Sequence, residues 1–319
     1  ELRRSDFLPS ALDALSVDGS LCALAPSMQT ACLYGIRDVV GDKTVFTPSE
    51  LRALLEAHPG TSLIPDATAG TVLTVLCMFM LDDFIDPATG KCSFDSDAFR
   101  DLLEIAALSP VEINYDNYEY VDGLQRVMDG TTLFDTLNLY EITELQRLTL
   151  TLKERFVPVG FPTSSGTGVC ARFDTMLGIS AKSANADGAW AFLKTFCTGR
   201  SDNEYIHGIP TIKTRFEEQL REAMTPSYYT DENGEQVETP KMGMSFGNGP
   251  MIEIFAATEE DSALYRSIVD SVDRIYSYDN VLMGIISEEA GAFFAGQKSA
   301  RDVSAVIQSR IQTYIAESR

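Results

Sequence analysis

Apolar positions along this chain fall into two patterns: recurrences at three and four residues that predict helices, and short unbroken runs that predict buried strands. The first clear helix opens at Thr47-Pro48-Ser49-Glu50, where a capping threonine, a first-turn proline and a glutamate able to close a capping box precede Leu51, Leu54 and Leu55. His58-Pro59-Gly60 stops it. Ser62-Leu63-Ile64-Pro65 then reads as a strand whose end, Asp66 to Gly70, opens the next helix. A further helix carries Phe99, Leu102, Leu103 and Ala106, with Phe94 and Phe99 spaced as a hydrophobic staple around a capping Asp95. Tyr115 to Tyr120 is rich in Tyr, Asp and Asn. Thr131 to Phe134 is expected as a strand, Asp135 to Tyr140 as a polar and aromatic loop, and Ile142, Leu145 and Leu148 as a helix face.

Phe156 to Pro162 is an apolar run closed by proline, followed by a loop of small residues, Thr163 to Gly168. Ala189, Phe192, Leu193 and Phe196 then share one helical face, with Asn185 or Asp187 as the cap. Thr225 to Gly249 is the least regular interval, and Asp231 to Glu235 reads as an exposed turn. Leu264, Ile268, Val272 and Ile275 predict one helical face, Ser287 caps a helix with Phe293 and Phe294, and Ser299 with Asp302 opens a last helix over Val303, Ile307, Ile311 and Ile315.

Composition narrows the function classes. The 319 residues are enough for two lobes of ordinary size, and the 45% hydrophobic content supplies a core. A formal net charge of −22 argues against nucleic acid, which needs Lys and Arg on its phosphates. The longest apolar stretch, Val72 to Leu81, is shorter than the roughly 20 residues a membrane helix needs. The start lacks the features of an export signal, so any such segment is expected to have been removed or to lie outside this sequence. Cys22, Cys32, Cys77, Cys92, Cys170 and Cys197 show no C-x-x-C spacing; they read as buried small hydrophobes, with a disulfide left open. His58 and His207 have no partner at motif spacing, and no nucleophile elbow, zinc-protease helix or phosphate loop is present. Catalytic residues, metal ligands and cofactors are therefore expected to be absent, and binding is the better reading.

The passage Gly160-Phe161-Pro162, a small-residue loop, Gly178-Ile179-Ser180, Lys182-Ser183 and Ala189-Trp190-Ala191-Phe192-Leu193 resembles, in order and spacing, the extracellular solute-binding proteins of sugar-type ABC importers. Asp18-Gly19-Ser20-Leu21 through Pro26, and the ending from Ile285 to Glu317, resemble the same family. The resemblance implies a two-lobed α/β fold of the second periplasmic-binding-protein type, with the chain crossing between lobes about three times. Residues 1–30 and 178–249 would form the first lobe and 31–177 with 250–319 the second, Gly178 marking a bridge between them. It implies capture of a sugar or oligosaccharide between lobes and delivery to membrane permease subunits, in an extracellular setting, periplasmic or as a cell-surface lipoprotein. The family's opening strands have no counterpart here. The first lobe is therefore expected to be incomplete and to expose an apolar face that invites dimerisation.

Sugar clefts combine carboxylates and amides for hydroxyls with aromatic plates for ring faces. Loops at strand ends supply the candidates: Asp66 and Thr68 from one, Asp135, Asn138 and Tyr140 from another, and Tyr34 past the presumed hinge. Trp190, the only tryptophan, lies within the helix after the crossover and reads as core or interlobe packing rather than as a stacking plate. The alternatives are a glycan-acting α/β enzyme using Asp135 with a second carboxylate, and a non-transporting carbohydrate-sensing or interaction module on the same fold.

Overall fold

The longest strand, Ser27–Ile36, is buried at every position after its first. A strand covered on both faces needs no polar alternation, which is why Gln29, Thr30, Ala31 and Gly35 can stand among its apolar residues. The structure is a computed structural model and describes residues 2–17, 19–114, 116, 118–198, 208–244 and 251–318. Asp18 of the expected entry turn, Tyr115, His207 and Gly249 lie outside the described residues. Ser27–Ile36 sits in a six-stranded sheet in the order Val272–Ile275, Val169–Arg172, Ser27–Ile36, Asp135–Leu139, and it also pairs with Phe156–Val159 and Ile209–Pro210.

Contacts divide the chain into unit 1 (1–31, 138–156 and 171–273) and unit 2 (32–137, 157–170 and 274–319). Every change of unit falls inside a strand of the sheet, at 31/32, 137/138, 156/157, 170/171 and 273/274. Compared with the segmentation expected from sequence, 138–156, 171–177 and 250–273 group with unit 1. The reason is packing: helix Ile142–Leu152 rests on helix Glu259–Asp270 and strand Ile252–Ile254. Gly178 lies within unit 1, where Leu177 and Leu24 exchange backbone hydrogen bonds of 2.8 and 2.9 Å.

In unit 2 the expected capping box forms, Thr47 Oγ1 accepting from Glu50 N at 3.3 Å and Glu50 Oε2 from Thr47 N at 2.9 Å. Lys43 and these bonds hold the Glu50 carboxyl down at about 2. Helix Ala69–Phe84 buries Val72, Leu73, Leu76, Cys77, Met80 and Phe84, and Phe84, Phe94 and Phe99 form an aromatic trio with centroids 5.1–5.5 Å apart. The cap of helix Asp97–Ala107 is Ser96 rather than Asp95, because Asp95 pairs with Arg100 at 2.7 Å. Asp279, not Ser287, caps helix Asn280–Phe294, which starts well before Ser287. The last helix, Ala300–Ser318, buries Val303, Ile307 and Ile311 as expected, and its Gln308 and Gln312 hydrogen-bond the backbone of Gly90, Cys92 and Phe94. Buried Arg274 reaches Asp83 at 3.2 Å, Thr163 Oγ1 at 3.2 Å and the Ser165 carbonyl at 2.9 Å, pinning the small-residue loop.

Unit 1 departs from the sequence reading in three places. The spacing of Leu264, Ile268, Val272 and Ile275 spans two elements, since helix Glu259–Asp270 ends before strand Val272–Ile275 joins the sheet. The interval after Thr225 holds two hairpins, Ser227–Thr230 with Gln236–Thr239 and Met242–Met244 with Ile252–Ile254. Asp231 closes the first by accepting from Asn233 N at 2.9 Å and Glu235 N at 2.8 Å, and these bonds lower its pKa. Helix Ala186–Thr198 buries only Leu193 and Cys197 of its apolar face; Phe192 is 67% exposed and Trp190 39%. All six cysteines are free, five of them buried, and burial pushes the Cys32 and Cys77 thiols up to about 12.

Candidate functional site

Four of the six sequence-predicted residues, Tyr34, Asp66, Thr68 and Asp135, lie in unit 2, and each makes a hydrogen bond there. The expected loop at Asp135 is a strand, Asp135–Leu139, in which Leu137 and Leu139 are buried and Asn138 is exposed. Two backbone-bonded residues, Ser62 and Thr132, take the place of the short strands expected on either side, as an isolated parallel bridge. Tyr34 is wholly buried, and its hydroxyl donates to Asp135 Oδ2 at 3.2 Å. Asp135 Oδ1 accepts from Thr136 N at 2.7 Å. Gly123 and Pro65 crowd the same carboxylate: a Cβ on Gly123 would come within 2.2 Å of Asp135 Oδ2 and 3.1 Å of the Pro65 ring.

Next to Pro65, Asp66 adopts a positive φ of 49°, a conformation an Asp can reach at some cost. What holds it is an ion pair with Arg126 at 2.9 Å and a hydrogen bond from the Tyr118 hydroxyl. The Asp66 carboxylate raises the Tyr118 pKa, since it accepts the phenol's proton in a hydrogen bond and opposes a second negative charge. Thr68 serves the backbone instead, its Oγ1 capping helix Ala69–Phe84 by accepting from Thr71 N at 3.2 Å.

Asn138 and Tyr140 belong to unit 1. Asn138 is exposed on its strand, and Tyr140 forms part of the wall of a pocket of about 640 Å³ within that unit. Its other walls bring the carboxylates of Glu141, Glu144 and Asp174 together with the amides of Gln29 and Gln219. No Lys or Arg is among the described residues that line it. Gln29, buried on the long strand, donates from Nε2 to Asp174 Oδ2 at 2.9 Å, which fixes both groups. Glu144 Oε2 accepts from Glu141 N at 2.9 Å at the start of helix Ile142–Leu152. Burial raises the Glu144 pKa, and the neighbouring Glu141 charge adds to the rise while that backbone bond opposes it. An exposed aromatic ring beside acceptor carboxylates and two-way amides is chemistry suited to hydroxyl-bearing ligands.

Sequence reasoning missed Arg126, Tyr118, Gln29, Glu144, Asp174 and Gln219. Tyr118 falls in the Tyr-, Asp- and Asn-rich stretch, and Gln29 is a polar residue inside a strand-length run. Arg126, Asp174 and Gln219 carry no local signal, because their companions are distant in the chain, and the local bond of Glu144 to Glu141 N marks a helix start rather than a pocket.

No family model and no curated protein matches this sequence. Solved structures do match. The sugar-binding protein MalE from the phytopathogen Xanthomonas citri superposes with a TM-score of 0.55 at 13% identity, over 99% of this chain and 76% of that one. A periplasmic oligogalacturonide-binding protein from Yersinia enterocolitica gives 0.56 at 14% identity, over 98% and 77%. The de novo designed cysteine esterase ECH19 gives 0.56 at 15% identity, also over 98% and 77%. The chain therefore has the α/β fold of the two-lobed periplasmic-binding type. Because that fold carries proteins described both as sugar-binding and as an esterase, it assigns no chemistry by itself.

Proposed function

We propose that this chain is the solute-binding component of an ABC importer, which captures a sugar or oligosaccharide outside the cytoplasmic membrane and delivers it to permease subunits. The observation that carries the reading is the fold shared, over nearly the whole chain, with two proteins described as sugar-binding. The polar make-up of the unit 1 pocket supports it, since carboxylates, amides and one exposed tyrosine are the groups that hydroxyls and sugar rings engage. Among the described residues no helix is long and apolar enough to cross a membrane; periplasmic residence or a lipid anchor at the cell surface both suit the role.

Within this reading the six candidates divide by placement. Tyr140 offers its ring face and Asn138 its amide to the sugar; Asp135 and Asp66 accept from hydroxyls. Tyr34 and Thr68 act as positioning residues, the first through Asp135 and the second through the helix it caps. Ligand-induced protection supplies the test, because whatever binds only the folded protein raises its melting temperature. Maltose, maltooligosaccharides and oligogalacturonides are titrated against the chain by differential scanning calorimetry, followed by calorimetric determination of stoichiometry. A saturable one-to-one complex without turnover is expected. Cleavage of labelled oligosaccharide would replace this reading with the glycan-acting enzyme, and no binding across the panel would remove both.

A further inference from the structure

A second cavity of unit 1, about 280 Å³, is bounded by the start of helix Ile142–Leu152, helices Lys213–Met224 and Glu259–Asp270, and strand Met242–Met244. Two residues of its wall hold buried polar atoms with no hydrogen-bond partner among the described residues: Tyr265 Oη and Gln219 Oε1. The Tyr265 side chain is 0% exposed, and its ring stacks on Phe216 with centroids 6.0 Å apart. Gln219 is fixed at its other end, Nε2 donating to the Gly208 carbonyl at 3.2 Å. Buried polar groups in folded proteins are satisfied in the great majority of cases, and an exception calls for a function or a bound molecule. Here two exceptions share one cavity.

Their chemistry restricts what could satisfy them. A phenol donates one hydrogen bond, whereas an amide oxygen only accepts. A carboxylate could take the phenol's proton but not serve the amide oxygen, and an ammonium could donate to both oxygens, since a phenol also accepts, but would leave the phenol's proton unpaired; hydroxyl groups satisfy all of them. The electrostatics oppose an anion. Burial is the main cause of the raised Tyr265 pKa, and the charges of Glu144 and Glu141 add to it. The one cation of the wall, Lys241, already donates to the Glu222 carbonyl at 3.3 Å. At about 280 Å³ the cavity sits at the lower end of small-molecule pockets, too small for an oligosaccharide.

We propose that this cavity is a binding site for a neutral polyol of monosaccharide size, whose hydroxyls pair with Tyr265 Oη and Gln219 Oε1. The site is separate from the transport reading, although Glu141 and Gln219 also border the larger pocket.

The test uses the full chain with myo-inositol and D-glucose as neutral probes and D-gluconate as the anionic one, followed by saturation-transfer NMR and calorimetry. At least one neutral probe is expected to bind, with gluconate at least tenfold weaker. Y265F, which keeps the ring packing, is expected to weaken neutral binding about tenfold, and D174N, which alters only the larger pocket, less than twofold. Should Y265F fail to fold, Q219M reads the site from the other side with D174N as its control, since Gln219 borders both pockets and Asp174 only the larger one. The proposal is overturned if neither neutral probe binds, if gluconate binds as tightly, or if Y265F and Q219M leave binding unchanged. Loss in D174N alone would also overturn it by assigning the sugar to the larger pocket, and would leave the transport reading intact.

Discussion

The hydroxyl of Tyr34 donates to Asp135 Oδ2 at 3.2 Å, linking a wholly buried tyrosine of the longest strand to a carboxylate at the start of another. That bond fixes the orientation of the Asp135 carboxylate. Asp135→Asn is expected to weaken sugar binding about tenfold or more, because one acceptor oxygen becomes a donor. Tyr34→Phe is expected to cost two- to fivefold in affinity and about 1 kcal/mol in stability. Calorimetric titration of both variants checks this, and equal losses would show that Tyr34 does more than position its neighbour.

Arg126, half-buried, and Asp66, exposed, pair at 2.9 Å where the backbone of Asp66 is left-handed. Arg126→Met removes the compensation for a carboxylate held in that conformation. The expected cost is about 0.5–1 kcal/mol, measured as a lower urea midpoint with an unchanged slope. Asp66→Gly relieves the backbone while losing the same pair, so its cost is expected to be smaller than that of Arg126→Met.

Which parts of this architecture can be read in advance follows from how local their causes are. The Thr47–Glu50 cap and the inner face of Ala300–Ser318 are legible because each depends on residues within a turn or two. Asp135–Leu139 reads as a loop because its first two residues are polar, although Leu137 and Leu139 alternate with exposed Asn138. Hairpin Ser227–Thr230 leaves every residue of that strand exposed, so no burial pattern exists to mark it. Leu264 to Ile275 misleads in the opposite sense, its helical spacing continuing by chance into a strand. The pairs Asp66–Arg126 and Gln29–Asp174 join residues far apart in the chain, which no periodicity encodes.

Glu144 carries a pKa raised by burial, so its ionised form costs native stability at neutral pH. That cost is absent below the unfolded-state value of about 4.3, appears as pH rises toward the folded value, and is complete above it. Glu144→Gln keeps an acceptor for Glu141 N and removes the charge. The melting temperature is expected to exceed that of the parent by about one to three degrees at pH 7, with no difference near pH 3.5. An advantage that is the same at both pH values would locate its origin in packing.

Ile179 and Trp190 are exposed on unit 1 and line a shallow groove together with Leu21, Leu24 and Leu193. Apolar side chains grouped in this way favour association. Reversible dimerisation is expected in sedimentation velocity as concentration rises, and Trp190→Glu is expected to abolish it. A monomer at all accessible concentrations would remove this partner.

The glycines of the expected small-residue loop have a backbone reason. Phe161 N donates to Gly168 O at 2.8 Å, drawing two chain segments together until a Cβ on Gly160 would lie 1.8 Å from the Thr167 carbonyl oxygen. Gly168, at φ +71°, would place its own Cβ 2.1 Å from the Phe161 oxygen. Neither neighbour is the end of a flexible side chain, so backbone must move in both cases. Gly160→Ala and Gly168→Ala are each expected to destabilise by at least about 3 kcal/mol, seen as a large drop in urea midpoint. Gly130, also at positive φ but with nothing near its Cβ, bears only the conformational cost of about 1–2 kcal/mol on the same change. The difference between these variants separates steric approach from left-handed geometry, and equal losses would mean that the approach of the two segments contributes nothing.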